Sequence, residues 1–252
     1  LAQRGYREIV VTGIEIASWG VDLPGKPEPA VMIEAVCHAV PDLRVRLGSL
    51  EPRIVTEDFC RRMQQLPNLC PQFHLSMQSG CDTVLERMKR KYDTARYLQS
   101  VELLYRYFPG CAVTTDMIVA FPGETEEEFA ESAAFARRAG FLHIHVFPYS
   151  KRAGTPAATM KDQVPEAIKH DRVAVLSRIS EESCGAILDR VLAHPVPLTV
   201  LPETRGEGFV MGHTPDFLEI KVLTDCPLPR AELAVLPIRR EGEILICSPA
   251  EA

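Results

Sequence analysis

The sequence predicts an α/β domain built on a parallel sheet, followed by a small all-β barrel. Up to residue 150, short β-branched apolar runs alternate with amphipathic helical stretches. Over the last 55 or so residues the pattern changes to short strands divided by Gly, Pro and Asp turns. The length of 252 residues, with 46% hydrophobic and 25% charged residues, is enough for one medium domain and a smaller one.

The opening "LAQRG" reads as the last turn of a helix ended by Gly5, so the chain is expected to begin inside an element, with a strand missing before it. The unpaired strand edge this would leave is expected to make the chain less stable than a longer parent. "REIVVTG" (7–13) is the first strand and "PEPAVMIEAVCHAV" (27–40) a helix starting near Pro27. "RVRLGSL" (44–50) is the second strand. A helix over 56–66 capped by Thr56 leads to the strand "QFHLSMQ" (72–78). Helices follow over 82–89 and 94–107, with Asp82 and Thr94 as candidate caps.

"CAVTTDMIVAF" (111–121) is apolar enough for a strand buried on both faces and ends at Phe-Pro-Gly. Thr125 stands three residues before Glu128, the capping-box spacing. Glu126 and Glu127 add negative charge at the positive end of the helix dipole, so the acids need no catalytic explanation. That helix stops at Gly140, and "FLHIHVFPY" is the fifth strand. Five strands alternating with helices fit either a doubly wound sheet or an incomplete barrel.

Periodicity vanishes over 151–164, and Pro165 opens a long helix to about His194 with Ile168, Val175, Ile179, Ile187 and Val191 as its apolar stripe. The expected organisation is therefore an α/β unit over 1–164, a connecting helix over 165–194 and a β-barrel over 195–252. The barrel segment holds 5 Lys/Arg against 9 Asp/Glu, a net of -4.

Composition narrows the function. No apolar run approaches the roughly 18 residues of a membrane span, so a soluble, cytoplasmic protein without membrane contact is expected. The net charge of -6 argues against a general polyanion binder. Eight cysteines (Cys37, Cys60, Cys70, Cys81, Cys111, Cys184, Cys226 and Cys247) show no CxxC or CxxxCxxC spacing, which points to reduced core thiols and no local metal site. Serine-protease, Walker and dinucleotide motifs are missing too.

Parallel strands bring their carboxyl ends to one rim, where ligands bind in such folds. The rim candidates are Glu15, Ser49 with Glu51, Gln78-Ser79-Gly80, Asp116 with Pro122-Gly123-Glu124, and Tyr149-Ser150 with Arg152. Each also has a structural reading: Glu15 as a surface acid, Gln78-Ser79-Gly80 as a turn, Asp116 as half of an internal pair. His143 and His145 share one strand face and, with no third ligand in sight, read as hydrogen-bonded core residues rather than a zinc pair. In "ERMKRKY", Arg87, Lys89, Arg90 and Lys91 form either a solvated helix end or a phosphate-binding cluster.

"HLSMQSGCDTVLERMKRKY", "TDMIVAFPGETEEEF" and "HVFPYSKRAGTPAA" occur in an order and spacing that resembles the radical S-adenosylmethionine (SAM) tRNA methylthiotransferases (MiaB/MtaB-like). "RVRLGSLEP" and "REIVVTGIEIASWG" fit the same pattern, nearest the threonylcarbamoyladenosine branch. The likeness covers nearly the whole chain. It implies strands two to six of a partial (β/α) barrel lacking its first strand, then an RNA-binding β-barrel of the TRAM type. It also implies two 4Fe-4S clusters, both ligated by cysteines upstream of Leu1. The family's chemistry is reductive cleavage of S-adenosyl-L-methionine, hydrogen abstraction from C2 of a modified adenine beside the tRNA anticodon, and insertion of a methylthio group.

Carried over by position, the resemblance gives Gly13 and Glu15 to the methionine amino group and Gln78 and Ser79 to the cofactor cleft. Asp116, Pro122 and Gly123 would lie near the ribose, and Phe147 and Tyr149 near the adenine. Arg87, Lys89, Arg90, Lys91 and Arg152 are the candidate contacts to the tRNA anticodon stem-loop. A monomer is expected, with an unidentified electron donor, and the chain alone is expected to be inactive. Ala120 stands where the family has Gly, and Glu15 where the nearest branch has His. The same resemblance also admits a ribosomal-protein methylthiotransferase, and the residues alone admit a non-catalytic RNA-binding remnant.

Overall fold

Gly48 divides one of the expected strands in two. The computed structural model describes residues 1–13, 16–225 and 231–250. The run over 44–50 forms β2 (Arg44–Leu47), paired with β1 (Glu8–Val11), and β3 (Ser49–Leu50), paired with β4 (Gln72–Leu75). The Gly48 amide donates to the Val11 carbonyl at 2.8 Å, and a Cβ here would lie 3.1 Å from Thr12 Oγ1. The change of partner falls where a side chain would crowd β1.

β5 (Ala112–Val119) and β6 (His143–Pro148) complete the series. Every pairing is parallel and the order follows the chain, β1-β2 and then β3-β4-β5-β6. A doubly wound sheet would reverse order at a switch point, so the sequential order selects the arc of a (β/α) barrel. Side-chain alternation assigns its faces. Val45, Leu47, Phe73, Leu75, Val113, Met117, Val119 and Ile144 share one buried cluster with the helices, leaving the intervening residues to the inner face.

The helices are α1 (Pro29–Ala39), α2 (Glu57–Met63), α3 (Asp82–Arg87), α4 (Thr94–Tyr107) and α5 (Glu126–Ala139). Thr56 Oγ1 accepts from the Phe59 amide, and the Thr125–Glu128 capping box is formed in both directions. Two expected caps are corrected. Cys81 and Asp93 occupy the N-cap positions, with Asp93 accepting from the Arg96 amide at 2.7 Å. Asp82 instead accepts from the Thr94 amide at 2.7 Å and ties the starts of α3 and α4 together.

A short α6 (Pro156–Thr159) interrupts the expected loop, and α7 (Glu166–Ala193) packs on β6. The stripe expected on α7 is partly wrong. Ile168 and Val175 are 38% and 37% exposed, while Lys169, Arg172, Leu176, Ile179, Cys184 and Leu188 face inward. The reason is Glu124. Its side chain is 1% exposed, and Arg172 Nη1 reaches its carboxylate at 2.7 Å while stacking over Phe129. A buried carboxylate requires a partner, and that requirement sets the rotation of the helix.

β7 (Leu198–Gly206), β8 (Phe209–His213), β9 (Glu219–Leu223), β10 (Leu233–Glu241) and β11 (Ile244–Pro249) form a closed barrel. Its core of Val200, Ile220, Val222, Val235 and Leu245 continues into Ala112, Leu142, Cys184 and Leu188. The barrel therefore sits beneath the amino-terminal ends of β5 and β6. From β2, Arg44 donates to the carbonyls of His213 and Thr199, and Arg46 donates to that of Pro215 and lies over the Phe217 ring. One end of the arc is closed in this way, and the carboxyl-end rim is left open.

Candidate active site on the inner face of the arc

Alternation puts Arg44 and Arg46 (β2), Gln72 and His74 (β4), Thr114, Asp116 and Ile118 (β5), and His143, His145 and Phe147 (β6) on the inner face. A closed structural barrel fills this space with Val, Ile and Leu. Here it is mostly polar. Exposure rises along it, from 5% at Gln72 and 3% at Thr114 beside the β-barrel to 51% at Phe147 near the rim.

The polar groups form a chain. Gln72 Nε2 donates to Thr114 Oγ1 at 3.0 Å, Thr114 Oγ1 meets His74 Nδ1 at 3.0 Å, and His74 Nε2 lies 3.3 Å from Asp116 Oδ2. Asp116 is directly opposite His145 in the β5–β6 register, and the His74 and His145 rings are 5.8 Å apart. Burial raises the Asp116 carboxyl, but the His74 hydrogen bond and the charges of His74 and His145 outweigh it, so its pKa falls below the ordinary value. Burial and the neighbouring His143 hold His145 below its ordinary value.

Not every residue expected at the cleft reaches it. Gly13 is exposed at the end of β1, and Glu15 lies outside the described residues. Gln78 takes a left-handed conformation (φ 70) that lets its amide donate to the Asp116 carbonyl and its carbonyl accept from Ile118, both at 2.8 Å. Ser79 is 1% exposed and bonded to Ser132 Oγ at 3.0 Å, so it anchors α5 rather than facing a ligand. Pro122 is buried, and Gly123 (φ 77) donates to the Asp162 carbonyl at 2.6 Å. Phe147 belongs to the inner face. Tyr149 turns away from it, because the strand ends at Pro148, and packs edge-on against Phe121 beside Met88 and Met160.

Among the expected RNA contacts, Lys89, Arg90, Lys91 and Arg152 are exposed. Arg87 is not free: it holds Glu128 bidentately at 2.8 and 2.6 Å. His74, Thr114 and Gln72 were not among the expected site residues, although the alternation in "QFHLSMQ" and in "CAVTTDMIVAF" carried the signal. It also took His143 and His145 for core residues, whereas His143 is half-exposed and His145 exposed on the open inner face.

The cysteines do not fit a 4Fe-4S cluster. The seven that are described are all buried, and burial pushes Cys70 and Cys111 up to about 12 and Cys37, Cys60, Cys184 and Cys247 up to about 11. No group of three cysteines converges among the described residues.

Comparisons with known proteins place this arc in a family. The profile of the Radical SAM superfamily matches residues 1–136, more than half the chain. The chain belongs to the radical SAM superfamily. Threonylcarbamoyladenosine tRNA methylthiotransferase MtaB of Bacillus subtilis is 36% identical over 87% of this radical SAM chain and 49% of its own length. The tRNA-2-methylthio-N(6)-dimethylallyladenosine synthase of Nocardia farcinica is 40% identical over 79% of this chain and 41% of its own length. The chain thus spans about half the length of the curated relatives it matches. Coproporphyrinogen III oxidase (HemN) from Escherichia coli, a radical SAM enzyme, shares the fold with a TM-score of 0.52 at 16% identity, over 64% of this chain and 38% of that one.

Proposed function

We propose that this chain is the barrel portion of a radical SAM methylthiotransferase that modifies C2 of N6-threonylcarbamoyladenosine beside the tRNA anticodon. The observation that carries the choice of nucleoside is the polarity of the inner face. Relatives of both specificities match at similar identity, so identity alone does not choose between them. A dimethylallyl group needs an apolar pocket. Gln72, His74, Thr114, Asp116 and His145 offer amide, hydroxyl, imidazole and carboxylate instead, which suits the amide and hydroxyl groups of a threonylcarbamoyl chain.

The rim above that face fits S-adenosyl-L-methionine, the group that supplies the radical chemistry of such enzymes when bound. Gly13, with Glu15, would take its methionine end. Gln78 and the Pro122-Gly123 turn would hold its adenosyl part, with Phe147 offering a ring face. Asp116 lies deeper, engaged with His74. Ligands for iron-sulfur clusters are assigned to segments beyond these residues, and the β-barrel is read as a TRAM-type module. Units at 1–164, 165–194 and 195–252 are proposed on the same grounds, as is a monomer acting in the cytoplasm.

Mass spectrometry of tRNA nucleosides from cells lacking the full-length gene tests the reading. Loss of the methylthio mark on threonylcarbamoyladenosine, restored by the gene, is expected. Loss on dimethylallyladenosine would overturn the choice of nucleoside. Unchanged tRNA would overturn the tRNA substrate and leave a ribosomal protein or a non-catalytic RNA-binding role.

A further inference from the structure

The polar chain on the inner face ends in three donors that no cofactor of the proposed reaction uses. His74 on β4, Asp116 on β5 and His145 on β6 each offer one ligand atom, and these atoms lie within 4.8 Å of one another. His74 Nε2 and Asp116 Oδ2 are 3.3 Å apart. Two ligands at about 2.0–2.1 Å from a tetrahedral ion are separated by roughly 3.3–3.4 Å, so this pair already has the spacing of one edge of a coordination shell.

Three further features point the same way. Thr114 Oγ1, itself held by Gln72, meets His74 Nδ1 and so fixes the ring with Nε2 towards Asp116, as the outer hydrogen bond of a metal-binding histidine does. Asp116 has no lysine or arginine ion-pair partner among the described residues, so its half-buried charge is balanced by imidazole alone. His145 is exposed on the inner face, directly opposite Asp116 in the β5–β6 register, so its ring is open to an ion from the lumen.

We propose that His74, Asp116 and His145 form a mononuclear site for a divalent transition-metal ion, Zn2+ or Fe2+, with its open positions facing the lumen. Two imidazoles and one carboxylate select such ions over Mg2+ or Ca2+, which take oxygen ligands. The two ring nitrogens and the carboxylate come from three adjacent strands, so the rigid sheet sets their spacing. The site contains no thiol, so it calls on none of the buried cysteines. Its three ligands are among the groups offered to the nucleoside above, so a bound ion would stand between the sheet and the substrate, and its binding is read with no nucleoside present.

The untagged 252-residue chain, stripped with a chelator, is titrated with Co2+ and followed by visible absorption, with Zn2+ as competitor. One Co2+ per chain is expected, with a d–d spectrum of low coordination number that Zn2+ abolishes. His145→Ala and Asp116→Asn should each weaken binding by about tenfold or more. His145 is exposed, so His145→Ala should leave the circular dichroism melt unchanged. Stoichiometry well below one, binding unaltered in both variants, or no displacement by Zn2+ would overturn the proposal and leave a hydrogen-bonded His74–Asp116 pair.

Discussion

Gly80 has no room for a side chain, since a Cβ there would come 2.7 Å from Phe135 Cβ and 2.8 Å from Ser132 Cα. Its amide and the Ser79 hydroxyl both bond Ser132, so this turn is the point where β4 is locked to α5. Gly80→Ala should cost about 1–3 kcal/mol through overpacking, read as a lower urea midpoint; an unchanged midpoint would refute the contact. Lys89 is the converse case. It holds φ 57 at the end of α3 with an exposed side chain, so Lys89→Gly should raise stability by about 0.5–1 kcal/mol. A lower melting temperature would contradict this. Ala120, buried at φ 58, occupies a similar backbone conformation, one that favours glycine. Residue-scale features of this kind were legible when their partners were local, as in the Thr125 cap. They were illegible when the partner lay far along the chain: Ser79 looked like a ligand-binding serine because Ser132 is 53 residues away.

At the scale of elements, α5 is held at its start by Glu128. The carboxylate accepts from Arg87, from Thr83 and from the Thr125 amide, and the Arg87 bonds lead in lowering its pKa to about 2. A carboxyl whose folded pKa is depressed stabilises the fold above its unfolded value, about 4.3, and loses that contribution as pH falls towards the folded one. Wild type should therefore exceed Glu128→Gln by about 1–2 kcal/mol at pH 7, after allowance for solvent screening. The difference should vanish as pH falls towards 2; a constant gap would show that the charge is not its source. For α7, Arg172→Ala leaves Glu124 buried and unpaired and should cost about 3–5 kcal/mol. The double variant Glu124→Gln with Arg172→Met should recover part of this in chemical denaturation, and additive losses would refute the pairing. Strand and helix positions were largely legible because periodicity is a local signal. The face of α7 was not, because a buried carboxylate 48 residues upstream outweighed its hydrophobic stripe. The inner face was half legible: alternation showed which residues share a side, but only the order of the strands showed that His74, Asp116 and His145 meet.

Across the whole molecule, most of the exposed basic side chains stand on the arc rather than on the β-barrel, so the tRNA of the proposed function is expected to bind there. The segment 195–252 carries 5 basic against 9 acidic residues. Of its described arginines, Arg239 pairs with Glu241 and Arg240 with Asp189. The exposed Lys89, Arg90, Lys91 and Arg152 stand on the other part of the chain, beyond α3 and after β6. Arg87 Nε and Asp162 lie about one contact distance from the Gly123 position, which brings the α3 end and the 151–164 segment to the same rim. Each phosphate neutralised by a basic side chain steepens the fall of affinity with salt. In fluorescence anisotropy with an anticodon stem-loop, Lys89→Ala, Lys91→Ala and Arg152→Ala should each weaken binding and reduce the slope of log K against log salt by about one. Lys221→Ala on the barrel, where the ammonium lies over Phe209, should leave the slope unchanged. The reverse result, with rim variants neutral and Lys221→Ala flattening the slope, would move the RNA interface to the β-barrel and leave the acidic balance of that module to be offset by the few cations it carries.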